Sequence, residues 1–181
     1  VVIIDPDVLK TLDSRQFNNG LAESIKMAAT SDAKLFSILE NENAYDCIDA
    51  VIDRSLKIKR SVVEEDEKEH GLRRVLNFGH TLGHAIESVS GGNLYHGECV
   101  ALGMIPMCSP EISERLKAVL KKLGLPSEYQ GDIEKLVSAA SHDKKFSGEK
   151  VTVITLPEIG NFKFEEWSTA ELFERMKEFF A

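Results

Sequence analysis

Cysteine is scarce in this chain and has no pairing pattern: Cys47, Cys99 and Cys108 are an odd number without a CxxC spacing. That argues against a disulfide framework and against a thiolate zinc site, and it fits a reducing cytoplasm. Positive charge is in deficit, with 22 Lys+Arg against 30 Asp+Glu and a net charge of −8. No overall basic field exists to hold a nucleic acid or an anionic membrane, so any anion must be held by a local cluster. Apolar runs fall short of the roughly 18 residues of a membrane span, and no basic stretch followed by an apolar one resembles a signal peptide. Internal repeats and low-complexity linkers are missing too. An initiating methionine is lacking: the chain opens on Val1-Val2-Ile3-Ile4-Asp5-Pro6, a strand-like run with nothing nearby to pair with. The expectation is a fragment that begins downstream of a missing sheet. What is present, 181 residues with 43% hydrophobic side chains, is enough for the core of one domain or two small ones.

The apolar rhythm is mostly helical. Leu21, Ile25, Ala28, Ala29, Leu35, Phe36 and Leu39 predict a helix over 20–40, capped by Asn18 or Asn19 and interrupted near Thr30-Ser31-Asp32. A second runs from Tyr45 to about Glu65 and dissolves into the charged run 64–69, followed by a polar loop containing Gly71. Further helices are expected over 78–89, from His96 through Met107 despite Pro106, over 110–122 from a first-turn proline, and over 133–140. Period-2 alternation appears only in Val151–Leu156 and Phe162-Lys163-Phe164, a hairpin, before a last amphipathic helix over 169–180.

The chemistry concentrates between Glu23 and His96. His80 and His84 stand four apart on one helix face, with Gly79 and Gly83 one turn apart on the adjoining face. Each helical glycine costs about 1 kcal/mol relative to alanine, so the two require a reason, either a ligand or another backbone approaching closely. We read them as giving access. His96 follows a glycine turn and can fold back on that helix. A histidine pair on a helix is most simply a hydrogen-bonded pair at a core edge. The third histidine shifts that balance, since two imidazoles and one carboxylate are a known arrangement for a catalytic zinc that keeps open positions. The HExxH arrangement is excluded, because Thr81 stands where its glutamate would be. Glu23, flanked by small and apolar residues, is a candidate carboxylate, with Lys26 as a plain intrahelical partner. Glu87 and Glu98 are its rivals.

The segments Gly20-Leu21-Ala22-Glu23-Ser24-Ile25-Lys26, Gly71 through Glu87 and His96-Gly97-Glu98 resemble the C-terminal domain of the 3-dehydroquinate synthase family. The similarity runs through essentially all 181 positions, including Asp143-Lys144-Lys145 and the closing hairpin. The resemblance implies a mainly α fold, the helical C-terminal domain with a small β-hairpin near its C-terminus. Residues 1–12 would then be a remnant strand and linker from an N-terminal NAD-binding domain, and 13–181 the metal- and substrate-binding domain. The family enzyme converts 3-deoxy-D-arabino-heptulosonate 7-phosphate to 3-dehydroquinate in the shikimate pathway of aromatic amino-acid biosynthesis, using NAD transiently and eliminating phosphate. It works as a homodimer in the cytoplasm, where a basic group reaches each site from the neighbouring subunit. This chain alone is expected to bind zinc weakly or variably and to have no turnover.

Carried over residue by residue, the resemblance makes Glu23, His80 and His96 the ligands of Zn2+, with Co2+ an alternative ion. His84 becomes a substrate-contacting residue that moves a proton during phosphate loss, and Glu69 a carboxylate handling a proton near the leaving phosphate. Lys59 is implied as a catalytic and substrate-binding cation. Lys26, Arg73, Asn77, Lys144 and Lys145 match further substrate-binding positions, arginine suiting planar anions and lysine acting as a point charge. No residue is assigned to NAD. Two other readings stand beside this one: another sugar-phosphate cyclase or metal-dependent alcohol dehydrogenase of the same fold, and a non-catalytic helical interaction module.

Overall fold

The computed structural model describes residues 3–142 and 150–180. Its elements are α1 (Ser14–Ser31), α2 (Ala33–Asn41), α3 (Ile48–Glu65), α4 (His80–Ser90), α5 (His96–Met104), α6 (Pro110–Lys122), α7 (Ile133–His142), the strands β1 (Lys150–Glu158) and β2 (Asn161–Ser168), and α8 (Thr169–Phe180). Three short 3-10 turns intervene, at Pro6–Thr11, Leu72–Asn77 and Ile105–Met107. The mainly α class with a C-terminal hairpin is as expected.

Asp32 makes the break expected near Thr30. Its backbone N–H closes α1 on the carbonyl of Ala28, while its side chain accepts from Lys34 N and Leu35 N to start α2. Arg54 of α3 then pairs with both oxygens of the same carboxylate, at 2.8 Å each. One residue thereby ends a helix, begins the next and docks a third.

Three local expectations need correction. The cap of the first helix is Asp13, whose side chain accepts from Gln16 N, and Asn18 and Asn19 lie inside α1. The helix starts earlier because buried Phe17 extends its apolar face by one turn. The described residues of the opening run, 3–5, form no strand. Asp5 instead accepts from Asp7 N and caps the turn at Pro6–Thr11. The helix that begins at His96 stops at Met104 and tightens into the turn at Ile105–Met107, since Pro106 has no N–H to continue an α ladder.

Helix α5 is the centre of the molecule. Every residue from Gly97 to Met104 is buried, as befits a short helix that is apolar on all sides. α4 and α1 pack against it from two directions. Gly83 of α4 and Gly103 of α5 serve this packing, while Gly79, expected inside the helix, stands just before α4 in the left-handed conformation, φ 76°. A Cβ on Gly83 would stand 3.2 Å from the carbonyl oxygen of Cys99, and one on Gly103 would stand 2.1 Å from the carbonyl oxygen of Gly79. The close neighbour is therefore another backbone, which replaces the reading that the glycines give access. β1 and β2 pair antiparallel, with Val151 opposite Trp167 and Ile154 opposite Phe164. Gly160 N donates to Ala29 O at 2.7 Å, which ties the hairpin turn to the end of α1.

Candidate metal centre

Glu23 projects from the middle of α1, and the two oxygens of its carboxylate meet different surroundings. Oε2 accepts from Lys26 Nζ at 2.6 Å, one helical turn on, with the Lys26 side chain only 5% exposed. Burial lowers the pKa of Lys26 and the adjacent carboxylate opposes that, so the pair is mutually required. Oε1 is buried and accepts no hydrogen bond. It lies 3.7 Å from His80 Nε2 and 4.0 Å from His96 Nε2.

The two imidazoles are turned so that these nitrogens carry lone pairs. His80 opens α4, and its Nδ1 is 3.2 Å from the carbonyl oxygen of Phe78. A carbonyl can only accept, so Nδ1 holds the proton and Nε2 is bare. His96 opens α5, and its Nδ1 is 3.1 Å from Glu87 Oε2, which imposes the same tautomer. Burial, seconded by the charge of Lys26, pushes His80 down to about 4, so it is neutral in ordinary buffer. A carboxylate oxygen that accepts no hydrogen bond faces the Nε2 atoms of two imidazoles. That donor set is suited to a divalent cation. Donors bonded at about 2 Å to one ion stand no more than about 4 Å apart, the span Glu23 Oε1 keeps to both nitrogens.

The helices are held in this register by contacts that the residue spacing did not reveal. Arg15 of α1 donates to both oxygens of Glu98 and to the carbonyl of Asn93, each at 2.7 Å, and its guanidinium lies 4.2 Å over the Tyr95 ring. Glu98 Oε2 also accepts from Tyr95 N, closing a capping box at the start of α5. Asn19 Oδ1 accepts from Gly97 N at 2.7 Å, and a Cβ on Gly97 would stand 2.1 Å from the carbonyl oxygen of Asn19. α5 therefore begins directly against the backbone of α1, and His96 arrives opposite Glu23. The rivals to Glu23 have other partners, Glu98 in Arg15 and Glu87 in His96. The sign of Arg15 was its position one turn before Asn19 on the same helix, too weak a signal without the partner 83 residues away.

His84 stands beside this group, its ring centroid 5.4 Å from that of His80 and 6.0 Å from that of His96. Lys59 is exposed on α3 and close enough to Lys26 that its charge lowers the Lys26 pKa. Glu69, Arg73 and Asn77 form a second group, on the loop and 3-10 turn that lead into α4. Asp66 gathers the backbone N–H groups of His70, Gly71 and Arg73 at 3.0, 2.8 and 2.9 Å. Glu69 takes the left-handed conformation, φ 58°, and its Oε1 accepts from Asn77 Nδ2 at 2.9 Å. Arg73 donates to Glu67 O at 2.8 Å. Lys144 and Lys145 lie outside the described residues.

The family model for the 3-dehydroquinate synthase C-terminal domain matches residues 20–146, a span that holds Glu23, His80, His84 and His96. The chain belongs to that family. It is 41% identical over 195 aligned positions to 3-dehydroquinate synthase of Lactococcus lactis subsp. cremoris (strain MG1363), covering 98% of this chain and 54% of that enzyme. The 3-dehydroquinate synthase of Nostoc punctiforme is 43% identical over 180 positions, 88% of this chain and 50% of the enzyme. The chain thus spans about half the length of the curated relatives it matches. Among solved structures, 2-epi-5-epi-valiolone synthase from Streptomyces hygroscopicus subsp. jinggangensis, with NAD+ and Zn2+ bound, superposes with a TM-score of 0.82 at 26% identity over 97% of this chain and 54% of its own. A 2-deoxy-scyllo-inosose synthase complexed with carbaglucose-6-phosphate, NAD+ and Co2+ has a TM-score of 0.81 at 22% identity, a likeness of fold, over 97% of this chain and 54% of its own.

Proposed function

We propose that this chain is the metal- and substrate-binding half of a cytoplasmic 3-dehydroquinate synthase, a carbon-oxygen lyase that acts on 3-deoxy-D-arabino-heptulosonate 7-phosphate as a homodimer. In this reading residues 13–181 are the domain concerned and residues 1–12 lead into it from a nucleotide-binding domain. The observation that carries the reading is the buried, unpaired Glu23 Oε1 facing two bare imidazole nitrogens. Family membership and the 41% identity to an enzyme of that name support the choice of reaction.

Glu23, His80 and His96 hold the divalent ion, Zn2+ or Co2+. When bound, the ion would supply Lewis acidity at the substrate alcohol, and NAD, held mainly by the other half of the enzyme, would supply the redox chemistry. Lys26 donates to the Glu23 oxygen that does not face the imidazoles and balances its charge. Lys26 and Lys59 present adjacent positive charge to the acid phosphate, joined by Arg73, Asn77, Lys144 and Lys145. His84, one turn beyond His80, is placed to move a proton as phosphate leaves. Glu69, oriented by its bond from Asn77, is the second proton-handling group. Arg73 and Asn77 favour this substrate over a neutral sugar phosphate, which has no carboxylate to bind.

Metal analysis tests the site. Saturated with zinc, the chain should bind about one ion, and Glu23→Ala, His80→Ala and His96→Ala should each abolish that binding. Unchanged metal in all three rejects the site and leaves the helical interaction module as the reading. The reaction is tested in the full-length protein by release of phosphate and formation of dehydroquinate. Turnover of neutral sugar phosphates in preference to the acid phosphate would assign it to another cyclase of this fold.

A further inference from the structure

His80 and His96 are held in different ways. The Nδ1 of His80 meets a backbone carbonyl, Phe78 O, whose place is set by the turn that starts α4. His96 has no such support. It is the first residue of α5, its side chain is 44% exposed, and its Nδ1 meets a side chain, Glu87 Oε2, at 3.1 Å. Glu87 comes from α4, one turn after His84 and two after His80, so a single helix supplies one imidazole of the centre and the support for the other.

We propose that Glu87 is the positioning residue of the metal centre: its carboxylate holds His96 with the proton on Nδ1 and Nε2 turned toward Glu23 Oε1. This rests on the metal reading given above. The physical reason is that a half-exposed imidazole has two tautomers and a broad ring torsion, and only one combination aims a lone pair at Glu23. An acceptor on Nδ1 selects that combination before any ion arrives.

The ligand atoms of His84, Glu87 and His96 also lie within 4.8 Å of one another. The bond from His96 Nδ1 to Glu87 accounts for that grouping. A second ion there would take the nitrogen that carries the shared proton, and the imidazole would have to bridge two cations.

The test uses the full chain, with zinc affinity measured by competition against a chromophoric chelator and the Co2+ derivative followed by its visible absorption. One ion per chain is expected. Glu87→Ala should weaken zinc binding by about 10–100-fold and alter the Co2+ spectrum. Glu87→Gln, whose amide oxygen still accepts from Nδ1, should recover most of the affinity and the original spectrum. Glu23→Ala should lose the ion. If Glu87→Ala binds zinc with the original affinity and spectrum while Glu23→Ala does not, the positioning role is overturned and the metal site stands. Two ions per chain, or a Glu87→Gln variant as impaired as Glu87→Ala, overturn it as well. Metal retained in full by Glu23→Ala removes the site, and the inference with it. Where Glu87→Ala fails to fold, judged by circular dichroism, Glu87→Gln against the original chain decides: affinity kept supports the role, affinity lost overturns it.

Discussion

Glu23 illustrates how much a single side chain leaves open until its neighbours are known. The three-residue spacing to Lys26 was enough to anticipate the ion pair, since positions i and i+3 meet on any helix. Nothing local could show that the second oxygen is buried and unpaired, because the nitrogens it faces come from residues 57 and 73 positions later. The cysteines make the opposite point. Their lack of pattern already excluded disulfides, and all three are free thiols. Burial pushes both Cys99 and Cys108 up to about 12, whereas Cys47 is only partly covered. Titration of the native chain at pH 8 with a thiol-specific disulfide reagent should therefore label no more than Cys47 promptly, and all three after denaturation. Rapid labelling of Cys99 or Cys108 in the native chain would contradict the packing around α5.

At the level of elements, the proposed metal centre rests on two helix contacts made close by glycine. α4 meets α5 across Gly83 and Gly103, and α5 meets α1 across Gly97. The sequence showed that the α4 glycines needed a compensating reason, but a ligand and a second backbone are equally good reasons until the helices are placed. Gly97→Ala should destabilise the chain by about 1–3 kcal/mol, since the added methyl meets the carbonyl of Asn19 and the helices must separate. It should also weaken zinc binding, because His96 is the preceding residue and moves away from Glu23. Thermal melting and zinc competition on the same samples check both parts. A loss of stability with unchanged zinc affinity would show that the α1–α5 contact does not set the ligand spacing.

Across the whole molecule, an excess of acidic groups makes the response to acid informative. The Arg15 guanidinium, bonded to both Glu98 oxygens, holds that carboxyl below its ordinary value of 4.5. In the unfolded chain Glu98 takes up a proton first. Its contribution to stability is accordingly present in full above about pH 4.5 and lost as pH falls through the lower folded value. Melting temperature should drop over that acid range. Arg15→Ala should lower stability at pH 7 and reduce the steepness of the acid loss, because the guanidinium no longer lowers the folded-state value of the carboxyl. An unchanged pH profile in Arg15→Ala would show that this pair does not link α1 to α5 energetically.

The amino-acid sequence by itself determined the helical class, the corner at Asp32, the proline-led start of α6 and the C-terminal hairpin. These follow from apolar period, capping chemistry and the geometry of proline and glycine, all of which act within a few residues. It also carried the family signature around His80 and His84, because Gly71 through Glu87 lie in one continuous stretch. Only the tertiary structure shows that Glu23 Oε1 faces His80 and His96 without a hydrogen bond, while Arg15 takes Glu98 and His96 Nδ1 takes Glu87. That arrangement belongs to the packing of α1, α4 and α5, because a metal site joins atoms close in space and far apart along the chain.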